Sequence, residues 1–210
     1  MGICYIVGAL KDECNFIKKH NDIVIAADAG LISVRASGIE PDLVVGDFDS
    51  LGRLPDGISY IRHPVMKDET DMLLAVKAGE ERGYKKFLIF GGLGGRTDHT
   101  FANIQTLCYI SEHGGAGCLI GKGEAMTVFS DNILKFDNSF TGTVSVFAYG
   151  GIAYGVTLNG MKYPLNEATL VPSFPIGVSN EFVADGSVTV KKGSLLVMWQ
   201  SRHYAFPEGV

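Results

Sequence analysis

The stretch Pro41-Asp42-Leu43-Val44-Val45-Gly46-Asp47-Phe48-Asp49-Ser50 decides how this chain is read. An apolar run, Leu43 to Val45, leads straight into two carboxylates separated by one residue, with a hydroxyl behind them. Such a run suits a strand buried on both faces. In open α/β sheets, ligands bind beyond the carboxyl ends of the strands, which is where Asp47 and Asp49 then stand. If the chain stays extended through them, alternation puts both side chains on one side. Two hard oxygen donors there suit magnesium, which takes carboxylates, waters and substrate phosphates. The alternative is a polar turn in which Asp49 caps the next element.

Outward from this segment the first half repeats the same grammar. Ile3 to Val7, Ile23 to Ala27 and Phe87 to Phe90 are further short apolar runs. Met72 to Arg82 and Thr100 to Glu112 carry apolar residues at helical spacing. Strand, helix, strand repetition predicts an α/β domain with a mainly parallel sheet. From about Glu124 the pattern becomes strand, turn, strand, with runs at Thr143 to Tyr149, Gly155 to Leu158, Ser187 to Val190 and Leu195 to Trp199. Gly150-Gly151, Asn159-Gly160, Asp185-Gly186 and Lys192-Gly193 read as turns between them. The expected architecture is an α/β N-terminal domain, residues 1–123, followed by an all-β C-terminal sandwich or barrel, residues 124–210.

Three more segments carry chemistry. Lys67-Asp68-Glu69-Thr70-Asp71 stands just before a helix. Asp68 can cap that helix, with Asp71 completing a capping box. A helix N-terminus also binds phosphate, and Lys67 would then neutralise phosphate while Asp71 contributes to the metal. Gly91-Gly92-Leu93-Gly94-Gly95-Arg96-Thr97-Asp98-His99 follows a strand and opens a helix. Four glycines within five residues exceed what a tight turn requires, and Arg96 can hold phosphate in a bidentate fork. The segment is neither a P-loop nor a dinucleotide fingerprint. Asp28, in Ala26-Ala27-Asp28-Ala29-Gly30, either caps the following helix or joins the other clusters at the same sheet edge. His63 and His99 read as structural or solvent-facing.

Composition limits the function classes. Hydrophobic residues make up 46% and charged residues 20%, enough apolar material for a substantial core. A net charge of −5 argues against a nucleic-acid partner, which requires a basic face. No run reaches the roughly 18 apolar residues of a membrane span. Met1-Gly2-Ile3-Cys4-Tyr5 has no basic stretch ahead of an apolar one, so no signal peptide is expected. Cys4, Cys14, Cys108 and Cys118 lack CxxC spacing and read as reduced thiols, which predicts a cytoplasmic protein without structural zinc.

In order along the chain, these segments resemble the thiamin pyrophosphokinase family. The match rests on Ala27 to Gly30, Pro41 to Ser50, Lys67 to Asp71, Gly91 to His99 and Val178-Ser179-Asn180-Glu181-Phe182. The resemblance implies transfer of the pyrophosphoryl group of ATP to the hydroxyl of thiamin, giving thiamin diphosphate and AMP. It implies a homodimer, with thiamin lying between the α/β domain of one subunit and the β domain of the other. Asp47, Asp49 and Asp71 match the magnesium and phosphate positions, and Thr70, Arg96 and Asp98 match nucleotide-side or phosphate-side positions. Ser179 and Asn180 match the segment that meets the thiamin pyrimidine, and Phe182 could offer it an apolar face. The residue types fit that chemistry independently, since phosphoryl transfer depends on positioning and charge neutralisation. Either Asp47 or Asp71 can accept the hydroxyl proton.

Two other readings use the same residues. A magnesium-dependent phosphohydrolase would employ Asp47 as a nucleophile, but would leave the Arg96 segment and the β module unexplained. A non-enzymatic nucleotide sensor would bind without turnover, which the number of clustered carboxylates disfavours.

Overall fold

Short runs of Ile, Val, Leu and Phe become the inner strands of a parallel sheet. In chain order the first half holds β1 (Cys4–Val7), β2 (Ile23–Ala27), α1 (Gly30–Ala36), β3 (Leu43–Gly46), β4 (Ser59–Arg62), α2 (Asp71–Glu80), β5 (Lys86–Phe90), α3 (Thr97–Glu112) and β6 (Ala116–Gly121). The computed structural model describes residues 2–10, 14–49, 57–64, 68–200 and 206–209, which cluster into two compact units, Met1–Lys122 and Gly123–Val210.

In the first unit the strands lie in the order β4-β3-β2-β1-β5-β6, all parallel to their neighbours. β1 to β3 and β6 are buried along their whole lengths, or nearly so, because helices cover the sheet. α2 packs on β2 and β3, and α3 packs on β6. Ile6, Ile25, Ile89 and Phe90 from the sheet are fully buried with Leu107 and Ile110 from α3. Each such side chain contributes about 1.5–3 kcal/mol by leaving water. β4 escapes a reading based on apolar runs because Ser59, Tyr60 and Arg62 are exposed on an edge strand.

The second unit holds β7 (Glu124–Ser130), β8 (Ile133–Phe136), β9 (Thr143–Met161), β10 (Leu165–Leu170), β11 (Asn180–Thr189) and β12 (Lys192–Gln200). Their order is β7-β12-β9-β11-β8, with β10 added on β9. Along β12, Leu195, Val197 and Trp199 alternate inward, as a half-buried strand requires. Phe136, Phe140, Phe182 and Trp199 form an aromatic cluster with centroids 5.0–6.4 Å apart. The fold is therefore an α/β unit with a parallel sheet followed by an all-β unit.

The turn signals behave differently from expectation. Gly150-Gly151 and Asn159-Gly160 lie within the single long strand β9, and Asp185-Gly186 lies within β11. Gly150, Gly155 and Gly160 take left-handed backbone, with φ of 70°, 63° and 67°. They bend and bulge β9 rather than end it, and its pairing with β12 slips between Tyr149 and Tyr154. Among the described residues, no helix is long and apolar enough to cross a membrane.

Candidate active site at the strand ends

The parallel sheet brings the carboxyl ends of β1, β2, β3 and β5 to one edge. The strand order reverses direction at β1: the chain builds outward through β2, β3 and β4, then returns through α2 to place β5 on β1's other side. Such a switch point opens a crevice. A cleft of about 710 Å³ lies there, lined by residues from Gly8 to Leu10, Ala27-Asp28, Asp47, Asp49, Glu69 to Met72, and the Gly91 to Asn103 segment. Its floor needs glycine, because a Cβ on Gly91 would stand 2.6 Å from the Gly8 carbonyl oxygen, and Gly91 has φ of 65°.

Asp47 and Asp49 both line the cleft, but not through an extended chain. The strand ends at Gly46, and Phe48 takes a left-handed φ of 67°. Its ring is buried and meets Tyr60 edge-on at 5.6 Å. The Asp49 N–H donates to Asp47 Oδ1 at 3.0 Å. The polar turn and the shared cleft are thus the same structure, an Asx-type turn pinned by an aromatic side chain.

Asp28 also lines the cleft, in left-handed conformation with φ of 45°. It does not cap α1, whose N-cap is Ala29. Its N–H donates to the Val45 carbonyl at 2.8 Å, tying the ends of β2 and β3 together. Its Oδ1 is buried without a hydrogen-bond partner among the described residues. A buried carboxylate oxygen left in that state is costly.

The start of α2 supplies the next wall. The N-cap is Thr70, not Asp68: the Leu73 N–H donates to Thr70 Oγ1 at 3.2 Å. Thr70 holds the extended backbone that an N-cap requires, and Asp71 becomes the first helical residue, facing the cleft. Glu69 is held from inside the helix by Lys77 Nζ at 2.7 Å, a hydrogen bond that raises the Lys77 pKa. Lys67 lies outside the described residues.

The glycine segment closes the site. α3 begins at Thr97, three residues earlier than the apolar periodicity predicts, with Arg96 at its N-cap position. Two side chains of α3 strap the loop. Thr100 Oγ1 accepts from the Gly94 N–H and donates to the Gly94 carbonyl, each at 3.1 Å. Asn103 is buried and donates to the Gly92 carbonyl at 2.7 Å. Sequence reading missed Asn103, although the signal exists, since it shares the buried face of α3 with Leu107 and Ile110. Arg96 is exposed and gripped by Asp98, with Nη2 to Oδ2 at 2.7 Å and Nε to Oδ1 at 3.2 Å. Those hydrogen bonds hold the Asp98 pKa below the usual carboxylate range and raise that of Arg96. His99 is solvent-exposed as expected, yet stands on the cleft wall.

In the second unit, Ser179 is exposed with a left-handed φ of 57°, and its N–H donates to Ser145 Oγ at 3.0 Å. Asn180 is buried, and its amide brackets Tyr163: Nδ2 donates to the Tyr163 carbonyl at 2.7 Å, and Oδ1 accepts from the Tyr163 N–H at 2.9 Å. Phe182 packs against Phe136 at 5.0 Å. Asn180 and Phe182 therefore hold the segment together, while Ser179 is exposed.

The donor set of the cleft fits a hard divalent cation. Asp28, Asp47, Asp49 and Asp71 all border it, and one buried Asp28 oxygen lacks a partner. Among the described residues, no three Asp, Glu, His or Cys side chains are gathered closely enough to hold an ion by themselves. Asp28, Asp47, Asp49 and Asp71 could hold an ion only together with waters or substrate phosphates, which magnesium accepts in its shell.

Comparison with known proteins bears on the family. The sequence model for the thiamin pyrophosphokinase catalytic domain matches residues 15–116, and the one for that family's vitamin B1 binding domain matches residues 131–197. The chain is 29% identical over 199 residues to thiamine pyrophosphokinase of Bacillus subtilis (strain 168), covering 90% of this chain and 92% of that protein. The fold matches the crystal structure of thiamine pyrophosphokinase from Bacillus subtilis with a TM-score of 0.85 at 24% identity, covering 97% of this chain and all of that one. It matches the thiamin pyrophosphokinase of Geobacillus thermodenitrificans with a TM-score of 0.82 at 24% identity, covering 96% and 99%. With a catalytic-domain match in the first unit and a vitamin-binding match in the second, the chain belongs to the thiamin pyrophosphokinase family.

Proposed function

We propose that the cleft at the strand ends is where this chain's thiamin pyrophosphokinase activity resides, with ATP as donor and thiamin as acceptor. The convergence of Asp28, Asp47, Asp49 and Asp71 on one cleft beside a glycine loop carries this reading. Asp47, Asp49 and Asp71 would hold magnesium, with the Asp28 oxygen at hand. When bound, the ion supplies charge neutralisation for the phosphates. The backbone N–H groups at the start of α2 and the glycine loop suit phosphate oxygens. Arg96, whose Nε and Nη2 are held by Asp98, leaves its remaining N–H groups for the same oxygens, and Lys67 would add a further positive charge. The thiamin hydroxyl attacks the β-phosphorus and AMP leaves in line, so catalysis rests on alignment and electrostatics.

The β unit would receive the vitamin through the Ser179 to Phe182 segment, with a second copy of the chain completing each site. Phe174, Ile176 and Val178 lead up to that segment with 63%, 46% and 52% exposure, an apolar surface suited to a partner subunit. Free cysteines, three of the four buried, support a reducing, cytoplasmic setting. Incubation with ATP, magnesium and thiamin followed by product identification tests the reading. AMP with thiamin diphosphate is expected, whereas ADP with thiamin monophosphate would contradict it.

A further inference from the structure

Asp47 also borders a second cavity, of about 330 Å³, whose other lining residues among those described are Arg62, His63 and Pro64. None of these three has a role in the reading above. β4 is the edge strand beside β3, and Arg62 is its last residue, in register with Gly46. The His63 N–H donates to the Gly46 carbonyl at 3.0 Å. Arg62 therefore ends β4 at the level where Gly46 ends β3, with His63 and Asp47 the next residue of each. The sheet edge sets a guanidinium and an imidazole beside one carboxylate, on the side of β3 away from β2 and β1.

Charge decides what this second cavity suits. Among the described residues, the large cleft is lined by Asp28, Asp47, Asp49, Glu69 and Asp71, with Arg96 as its one arginine. Asp98 already offsets the Arg96 charge, although it takes only part of the guanidinium's N–H groups. A polyphosphate entering that cleft adds more negative charge, and its far end gains most from a cation beyond the carboxylates. Arg62 is exposed and enters no ion pair among the described residues. Its planar fork matches phosphate oxygens, and the imidazole beside it is a second donor. Because Asp47 borders both cavities, one extended polyphosphate can occupy both.

We infer that Arg62 and His63 form a subsite for the distal phosphate of the donor, the end of the pyrophosphoryl group farthest from the nucleoside. This rests on the diphosphokinase reading of the cleft and adds to it a reason for selecting a triphosphate. The nucleoside monophosphate that leaves is held by the large cleft alone, whereas the transferred group spans both.

Calorimetric titration of the full chain with magnesium, using AMP, ATP and inorganic pyrophosphate as separate probes, tests this in wild type, Arg62→Gln and His63→Gln. Arg62→Gln is expected to weaken ATP and pyrophosphate by on the order of tenfold to a hundredfold, leaving AMP unchanged. His63→Gln follows the same pattern more weakly and serves if the first variant melts early. Wild-type pyrophosphate affinity in both variants overturns the subsite, as does a loss for AMP equal to that for ATP. Wild-type turnover separates the two ideas. Failure to make thiamin diphosphate would reject the diphosphokinase reading, while normal turnover with unchanged pyrophosphate binding in Arg62→Gln rejects the subsite alone.

Discussion

Phe48 holds a left-handed backbone conformation that is uncommon for a bulky residue, and its buried ring is what fixes it there. The turn it forms aims two carboxylates into one cleft. Arg96 is held in the same spirit, by a two-point contact with Asp98. Arg96→Lys is therefore expected to lose about tenfold or more in transfer rate or nucleotide affinity although charge is kept, because an ammonium cannot make the fork. Steady-state kinetics check this, and unchanged constants would confine Arg96 to supporting the loop. The same pair has a pH signature. Asp98 has a depressed folded pKa, caused first by the Arg96 hydrogen bond. The contact is thus present above the unfolded value and lost as pH falls through the folded one. Carboxyl NMR should find Asp98 titrating below ordinary aspartates, and returning towards them in Arg96→Gln. A midpoint identical in both proteins would contradict the pairing. The sequence made Asp47, Asp49 and Arg96 legible because charged residues after an apolar strand stand out. It hid Asn103, a polar residue on a buried helical face, and it hid the conformation of Phe48, which hydropathy does not encode.

Elements position these residues through their ends. α2 starts where Thr70 caps it, and that start sets Asp71 against the cleft. Thr70→Ala should cost about 1 kcal/mol of stability, read by urea unfolding, and should also weaken nucleotide binding as the first turn frays. Unchanged stability would mean the Leu73 N–H finds another acceptor. The parallel strands were readable because burial on both faces leaves continuous apolar runs. Edge strand β4 was not, since its exposed residues carry no apolar run. Capping was misread at Asp68, because Asp68 and Thr70 are both good caps and only the path of the chain chooses between them. The glycine pairs at 150–151 and 159–160 look like turns in any one-dimensional reading. Cross-strand pairing with β10, β11 and β12 keeps them inside β9.

At the scale of the whole molecule, the account divides labour between a unit that handles phosphate and a unit that receives the vitamin. If two copies share each site, subunits damaged in different units should rescue one another. Mixing Asp49→Asn with a Ser179→Ala, Asn180→Ala double variant, each inactive alone, is expected to restore part of the activity, since a mixed dimer contains one intact site. No recovery, with subunit exchange confirmed independently, would sink the shared-site arrangement. Asn180 also holds Tyr163 in place, so the double variant's melting curve must be measured beside it. The central claim is that the carboxylates ending β3 drive pyrophosphoryl transfer. The most direct measurement is the rate of thiamin-dependent AMP formation at limiting magnesium by wild type, Asp47→Asn and Asp49→Asn, with folding checked by circular dichroism. The account predicts folded variants slowed by about a hundredfold to a thousandfold. Near wild-type rates in both would contradict it.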